Sequence, residues 1–263
     1  MDVQVDGRGP VEPFLAARDL FATETSLEQS VTVRVVEDPD ERTRVSHGET
    51  GHRLTISQQA ATSAMARELA LHEFAHMYHH ECDHPSHTQS TEEAIFLALA
   101  GRTVEQRKLT HCYQIANHMK DIYADDLWLR VAPADKLVSF LESSLAAALA
   151  DKPRSTPTWD RFDPASPDDA EPPARLSSTA DPEITAVNAA FALGIVERHD
   201  LVEADHRLYD LAHAAAADAP EVDLDAFTDR FRSLSPDPDE SEFRKALVDA
   251  TRAYAGGTGP AAD

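Results

Sequence analysis

A chain of 263 residues is long enough for one large domain, or for a medium domain with an appendage. Hydrophobic residues make up 42% and aromatics only 6%, so a core must come mainly from Ala, Leu, Val and Ile, and no apolar run approaches the roughly 18 residues of a membrane span. With 47 acids against 24 Lys and Arg the formal charge is −23, a surface that repels phosphate backbones and argues against a nucleic-acid partner.

The first 57 residues carry the strand signals. Val31, Val33 and Val35 alternate with Thr32 and Arg34, the period of a half-buried strand. Asp38-Pro39-Asp40 is a turn signal. Leu54 and Ile56, alternating with Arg53 and Thr55, give a second short strand, and a small antiparallel sheet is the expected product. From Gln58 to about Ala150 the pattern turns helical. One helix is expected over 58–81, with Ala61, Met65, Leu69 and His72 at helical spacing. Ser90-x-x-Glu93 is a capping-box signature ahead of the apolar run 94–100. A third helix is expected over about 104–129. Pro133 opens a fourth, with Leu137, Phe140, Leu141 and Leu145 as its buried stripe.

Between Lys152 and Glu183 the composition changes, and seven of the 16 prolines fall there among Asp, Ser and Thr. This reads as an acidic linker or a long surface loop. Residues 184–255 read as three or four amphipathic helices, and Gly256-Gly257 as a frayed end. The expected organisation is α+β and mostly helical. A metal-binding domain spans 1–151, a proline-rich connection 152–183, and a helical region at 184–263 packs on or beside the core.

The chemistry is concentrated in Leu71-His72-Glu73-Phe74-Ala75-His76, an HExxH motif. His72 and His76 are four residues apart, so on a helix both imidazoles reach one Zn2+. Glu73 projects beside them as a general base towards a metal-activated water.

A strand feeding such a helix resembles the zincin-type metallopeptidases over about residues 30–130. In the metzincin branch the motif continues to a glycine and a third histidine. His79 and Cys82 stand at those positions here, so that branch does not fit. The run Lys120-Asp121-Ile122-Tyr123-Ala124-Asp125 resembles the E-x-x-A-D motif of gluzincins related to the CAAX prenyl proteases, with Asp121 replacing the usual glutamate. The resemblance implies Asp121 as third zinc ligand and Asp125 as the acid that orients a ligand histidine from behind. His118, three residues before Asp121, competes for the ligand position or stabilises the transition state. His111 falls on the same quadrant of the helix, and Glu93 is a further contender that its capping role already explains.

The run His79, His80, Glu81, Cys82, Asp83, His84 and His87 fits no closed zinc-site spacing and is expected to end the helix, with a second metal site as the alternative. His199, His206 and His213 recur every seven residues, as on one helix face. Cys82 and Cys112 make no disulfide framework and are expected as buried or half-buried thiols. With no secretory leader in the first residues, a cytoplasmic location is expected. Many acids with 5 Lys against 19 Arg resemble proteins of salt-in halophilic archaea, whose self-repulsion molar salt screens. Together these features point to a zinc metallopeptidase with a peptide or protein substrate, and the strand at 53–57 as a template for extended substrate. The alternative is a catalytically silent zincin-fold binding or regulatory protein with a structural zinc.

Overall fold

The computed structural model describes residues 1–41, 43–151 and 181–256. The proline-rich stretch from 152 to 180 and the glycine-rich end beyond residue 256 lie outside them.

Strand β1 (Val3–Asp6) leads through helix α1 (Glu12–Phe21) into β2 (Ser30–Val36), followed by β3 (Arg44–His47) and β4 (Gly51–Ser57). The four strands lie in the order β1-β2-β4-β3. β2 is parallel to both β1 and β4, and only β3 runs antiparallel, against β4. The sheet is therefore mixed, not the antiparallel one expected. Alternation specifies which face of a strand is buried but carries no direction. A parallel pair needs a crossover, and α1 supplies it, burying Phe14, Ala17 and Phe21. Val31, Val33 and Val35 do face inward, in register with His52, Leu54 and Ile56. The expected turn is present, the Asp38 carboxylate accepting the Asp40 amide at 3.0 Å. β4 pairs with β2 along its whole length and with β3 over His52–Thr55, so 53–55 offer no free edge; β3 is the outer strand beside it.

The single helix expected over 58–81 is two, α2 (Gln58–Ala61) and α3 (Ala66–Glu81). The hydroxyls of Thr62 and Ser63 donate back to the carbonyls of Gln58 and Ala60 at 2.9 and 2.8 Å, a local bonding that competes with helix continuation. Next come α4 (Pro85–Thr88), α5 (Thr91–Leu99), α6 (Gln106–Trp128) and α7 (Asp135–Ala150). The Ser90 hydroxyl caps α5 by accepting the Glu93 amide at 3.2 Å. In α7 Leu137, Leu141 and Leu145 are buried, but Phe140 is 50% exposed. It lies three residues from Leu137, rotated off the four-residue row on which the leucines stack.

The remaining helices are α8 (Pro182–Arg198), α9 (Arg207–Ala217), α10 (Leu224–Arg232) and α11 (Glu240–Gly256). Pro182, expected in the connection, begins α8 behind an Asp181 cap. α8 packs against α6, α7, α9 and α10. Gly194 permits the close approach to α10, since a Cβ there would lie 2.7 Å from the Cβ of Phe231. α11 lies on α5 and α6. The buried apolar side chains of the sheet, of α3 and α6, and of the C-terminal helices form one cluster. His199 ends α8, His206 caps α9, and His213 lies within α9, so these three do not share a helix face. Among the described residues, no helix is long and apolar enough to cross a membrane.

Candidate metal centre

α3 packs on α6. Its inner face is apolar, with Leu71, Phe74 and Ala75 fully buried. The His72 and His76 side chains, on another face, keep 22% and 18% of their surface exposed. Their Nε2 atoms are 2.9 Å apart. Asp121 Oδ1 of α6 lies 3.3 Å from His76 Nε2 and 3.7 Å from His72 Nε2. Ligands bound to zinc at about 2.0–2.1 Å in a tetrahedron are about 3.3 Å from one another, and the three separations bracket that value. Among the described residues no other group of three His, Cys, Asp or Glu side chains meets as closely.

What stands behind the triangle fixes what it presents. Asp125 Oδ1 accepts from His72 Nδ1 at 2.8 Å and from Trp128 Nε1 at 2.7 Å. A carboxylate only accepts, so Nδ1 carries the His72 proton and a neutral His72 presents its lone pair at Nε2. His76 Nδ1 is 2.7 Å from His87 Nε2 of α4. The second Asp121 oxygen lies 3.3 Å from His118 Nδ1, and His118 Nε2 donates to Asn188 Oδ1 of α8 at 2.9 Å. The His118 ring also stacks on Phe191, with centroids 4.3 Å apart. Two imidazole nitrogens and a carboxylate oxygen thus converge. Such a set is stable only around a cation, a proton or a metal ion.

The electrostatics agree. Burial pushes His72 down, but Asp125 and Asp121 override it and hold the imidazolium well above the ordinary histidine range. Burial pushes Asp121 up, but its contacts with the His118, His72 and His76 rings hold it well below the usual carboxylate range. Glu73 is raised by burial, with His72 and His76 opposing. Its carboxylate hydrogen-bonds to none of the described residues, which leaves it uncommitted beside the triangle. Burial first, and then the neighbouring imidazoles, keep His87 neutral.

A cleft of about 380 Å³ opens onto His72 and Asp121, lined by Met65, Leu69, Trp128, Phe140 and Phe191 among others. The exposed Phe140 thus belongs to its wall. A larger cavity of about 520 Å³ lies near Asp126, Arg198 and Arg232, away from the triangle. Its charges neutralise one another, Arg198 gripping Asp126 at 2.7 Å and Arg232 meeting Glu197 at 2.9 Å.

Of the residues singled out in the sequence, His72, His76 and Asp121 come together, Asp125 stands behind His72, and His118 stands behind Asp121. Glu93 is exposed at the start of α5 and takes no part. His111 turns away to bond the Tyr254 hydroxyl of α11, with Asp181 3.5 Å from its Nε2. The 79–87 run makes no second ligand set among the described residues. His79 Nε2 instead donates to the Tyr123 carbonyl at 3.0 Å. Cys82 is exposed, contrary to expectation, while Cys112 is buried and its thiol is pushed up to about 11 by burial. Sequence reasoning named His87 only within the 79–87 run, not as a partner of His76, and missed Trp128, Asn188 and Phe191. Only Trp128, three residues after Asp125 on the same helix, carried a local signal.

A protein-family model described as Family of unknown function (DUF5781) matches residues 1–256, and the chain belongs to that family. No curated protein and no solved structure matches the chain.

Proposed function

We propose that this protein is a cytoplasmic zinc-dependent metallopeptidase with a zincin-like core, in which His72, His76 and Asp121 hold Zn2+ and Glu73 is the general base. One observation carries the reading. Three electron-pair donors stand at tetrahedral spacing, close to an uncommitted carboxylate, and two of them, His72 and Asp121, line an open cleft. A bound zinc would supply Lewis acidity and bring the pKa of a water towards about 7.

The remaining work falls to the chain's own groups. Asp125 and His118 hold the His72 ring and the Asp121 carboxylate in place. Glu73, raised by burial, takes a proton from the attacking water and delivers it to the leaving amine. The apolar cleft seats an apolar group of a peptide or protein substrate and keeps bulk water away. The free edge of β3 is the strand available to pair with extended substrate, in place of β4. The acidic surface disfavours nucleic acid as substrate. A silent protein with a structural zinc is the competing reading, and it gives no role to Glu73 or to the cleft.

Glu73→Gln separates the two. In protein purified in high salt and assayed against a peptide library, the variant is expected to lose hydrolysis while keeping close to one equivalent of zinc. Unchanged activity would overturn the peptidase reading, and loss of zinc together with activity would overturn the division of roles.

A further inference from the structure

The chain leaves α3 through a left-handed residue. Asp83 has φ +53°, the His84 amide donates to the His79 carbonyl at 2.9 Å, and the Asp83 amide donates to the His80 carbonyl at 3.3 Å. This is the paired bonding of a Schellman stop. It reverses the chain so that α4 lies back against the helix it has just left, and His87 reaches His76.

Three further contacts continue from there. His87 Nδ1 is 2.7 Å from Ser86 Oγ, Ser86 Oγ is 2.7 Å from His84 Nδ1, and the Ser86 backbone N–H donates to that same His84 Nδ1 at 3.3 Å. The direction of every bond follows from the last one. A backbone N–H can only donate, so His84 Nδ1 is an acceptor. The Ser86 hydroxyl, with one proton, therefore also donates to it. Ser86 Oγ then accepts from His87 Nδ1–H, which leaves neutral His87 with its lone pair at Nε2. His76 Nδ1 must hold a proton to meet that lone pair, and the His76 lone pair is left at Nε2, facing the triangle.

We infer that Ser86 and His87 are positioning residues that lock His76 in its Nδ1–H tautomer, so that the first turn of α4 selects the ring nitrogen that His76 presents to a metal. The inference rests on the proposed metal centre for its purpose, but the tautomer itself is measurable without metal. His72 and His76 are then set by different devices, a carboxylate for the first and a relay of neutral groups ending on a backbone amide for the second.

Ring nitrogen NMR of the full chain in high salt, at a pH where His76 and His87 are neutral, reads the tautomer directly. The wild type is expected to show His76 protonated at Nδ1 and bare at Nε2. Ser86→Ala, which touches neither His76 nor the triangle, removes the group that decides between the tautomers of His87, so His76 should become a mixture and zinc affinity should fall about 10-fold. His87→Leu should lower zinc affinity about 10–100-fold. His87→Gln, whose amide oxygen accepts from His76, should restore the Nδ1–H form. Should Ser86→Ala also disturb His72, whose tautomer Asp125 sets, His87→Gln decides: retained Nδ1–H supports the relay and its loss overturns it. A His76 that stays fully Nδ1–H in both Ser86→Ala and His87→Leu also overturns it. If the wild type binds no zinc yet shows the relay's tautomer, the metal reading fails and the positioning inference stands.

Discussion

The middle of α3 and its C-terminal end are both rich in histidine, but the two groups sit in opposite surroundings. His72 and His76 converge on Asp121, His72 lines an open cleft, and the His72 ring is bonded to Asp125 from behind. At the helix end, His79 is bonded to a backbone carbonyl and stacked near His87, and His80 lies flat on His47 of β3 at 3.7 Å between centroids. Burial holds both His79 and His47 down to about 4. Identical side chains therefore sit either in a converging set with a carboxylate, as His72 and His76 do with Asp121, or in packing against other rings and backbone, as His79 and His80 do. Spacing along the helix does not make that distinction.

The largest test of the contrast removes one partner from each group. Asp121→Ala should weaken zinc binding by orders of magnitude, and Asp125→Ala by about 10–100-fold through lost orientation of the His72 ring. His80→Ala should leave affinity within a few-fold of wild type. Competition against a chromophoric chelator measures all three, and a His80 effect as large as that of Asp121 would erase the distinction.

Salt should act on the surface far more than on either group. A formal charge of −23 needs screening, and the Debye length falls from about 10 Å near 0.1 M to about 3 Å or less above 1 M. Melting temperature followed by circular dichroism should rise strongly between roughly 0.1 M and 2–3 M KCl. Equal melting at both would remove the halophilic reading.

His72 on one side, and His79 and His47 on the other, respond to pH with opposite sign. His79 and His47 titrate near 4 when folded against an ordinary 6.5. The unfolded chain therefore takes up their protons first, and stability present above about 6.5 is lost as pH falls towards 4. His72, raised when folded, contributes stability that is complete below about 6.5 and is lost as pH rises through its folded value. Thermal melts of the metal-free protein between pH 4 and 8 should show the acid-side loss, and His79→Gln should reduce it.

The smallest expected effect is at the Schellman stop. Asp83 occupies a left-handed position that glycine adopts without the side-chain penalty, so Asp83→Gly should stabilise by up to about 1 kcal/mol. Asp83→Ala should destabilise by a similar amount, and both are read from denaturant melts.

Much of the centre could be read from the chain because it depends on local helical geometry. The i, i+4 pairs His72/His76 and Asp121/Asp125 each share a helix face whatever the rest of the fold does. Which helix meets which is not a local property, and it is the packing of α3 on α6 that brings the two pairs together. The relay behind His76 was not legible, since it depends on one left-handed residue returning the chain onto its own helix. The same limit applies to the sheet. Val31, Val33 and Val35 revealed a buried face, but strand direction was set by the α1 crossover and by β4 inserting between β2 and β3. The break before α3 was legible in principle, as Thr62-Ser63 are residues whose hydroxyls compete with the backbone. Phe140 was misplaced because apolar character alone does not separate a core position from a cleft wall.

Anomalous diffraction at the zinc edge from a crystal of the zinc-loaded protein tests the central claim most directly. The expected result is one zinc within about 2.0–2.2 Å of His72 Nε2, His76 Nε2 and Asp121 Oδ1. A zinc more than about 4 Å from Asp121, or one seated among His79, His84 and His87, would contradict it.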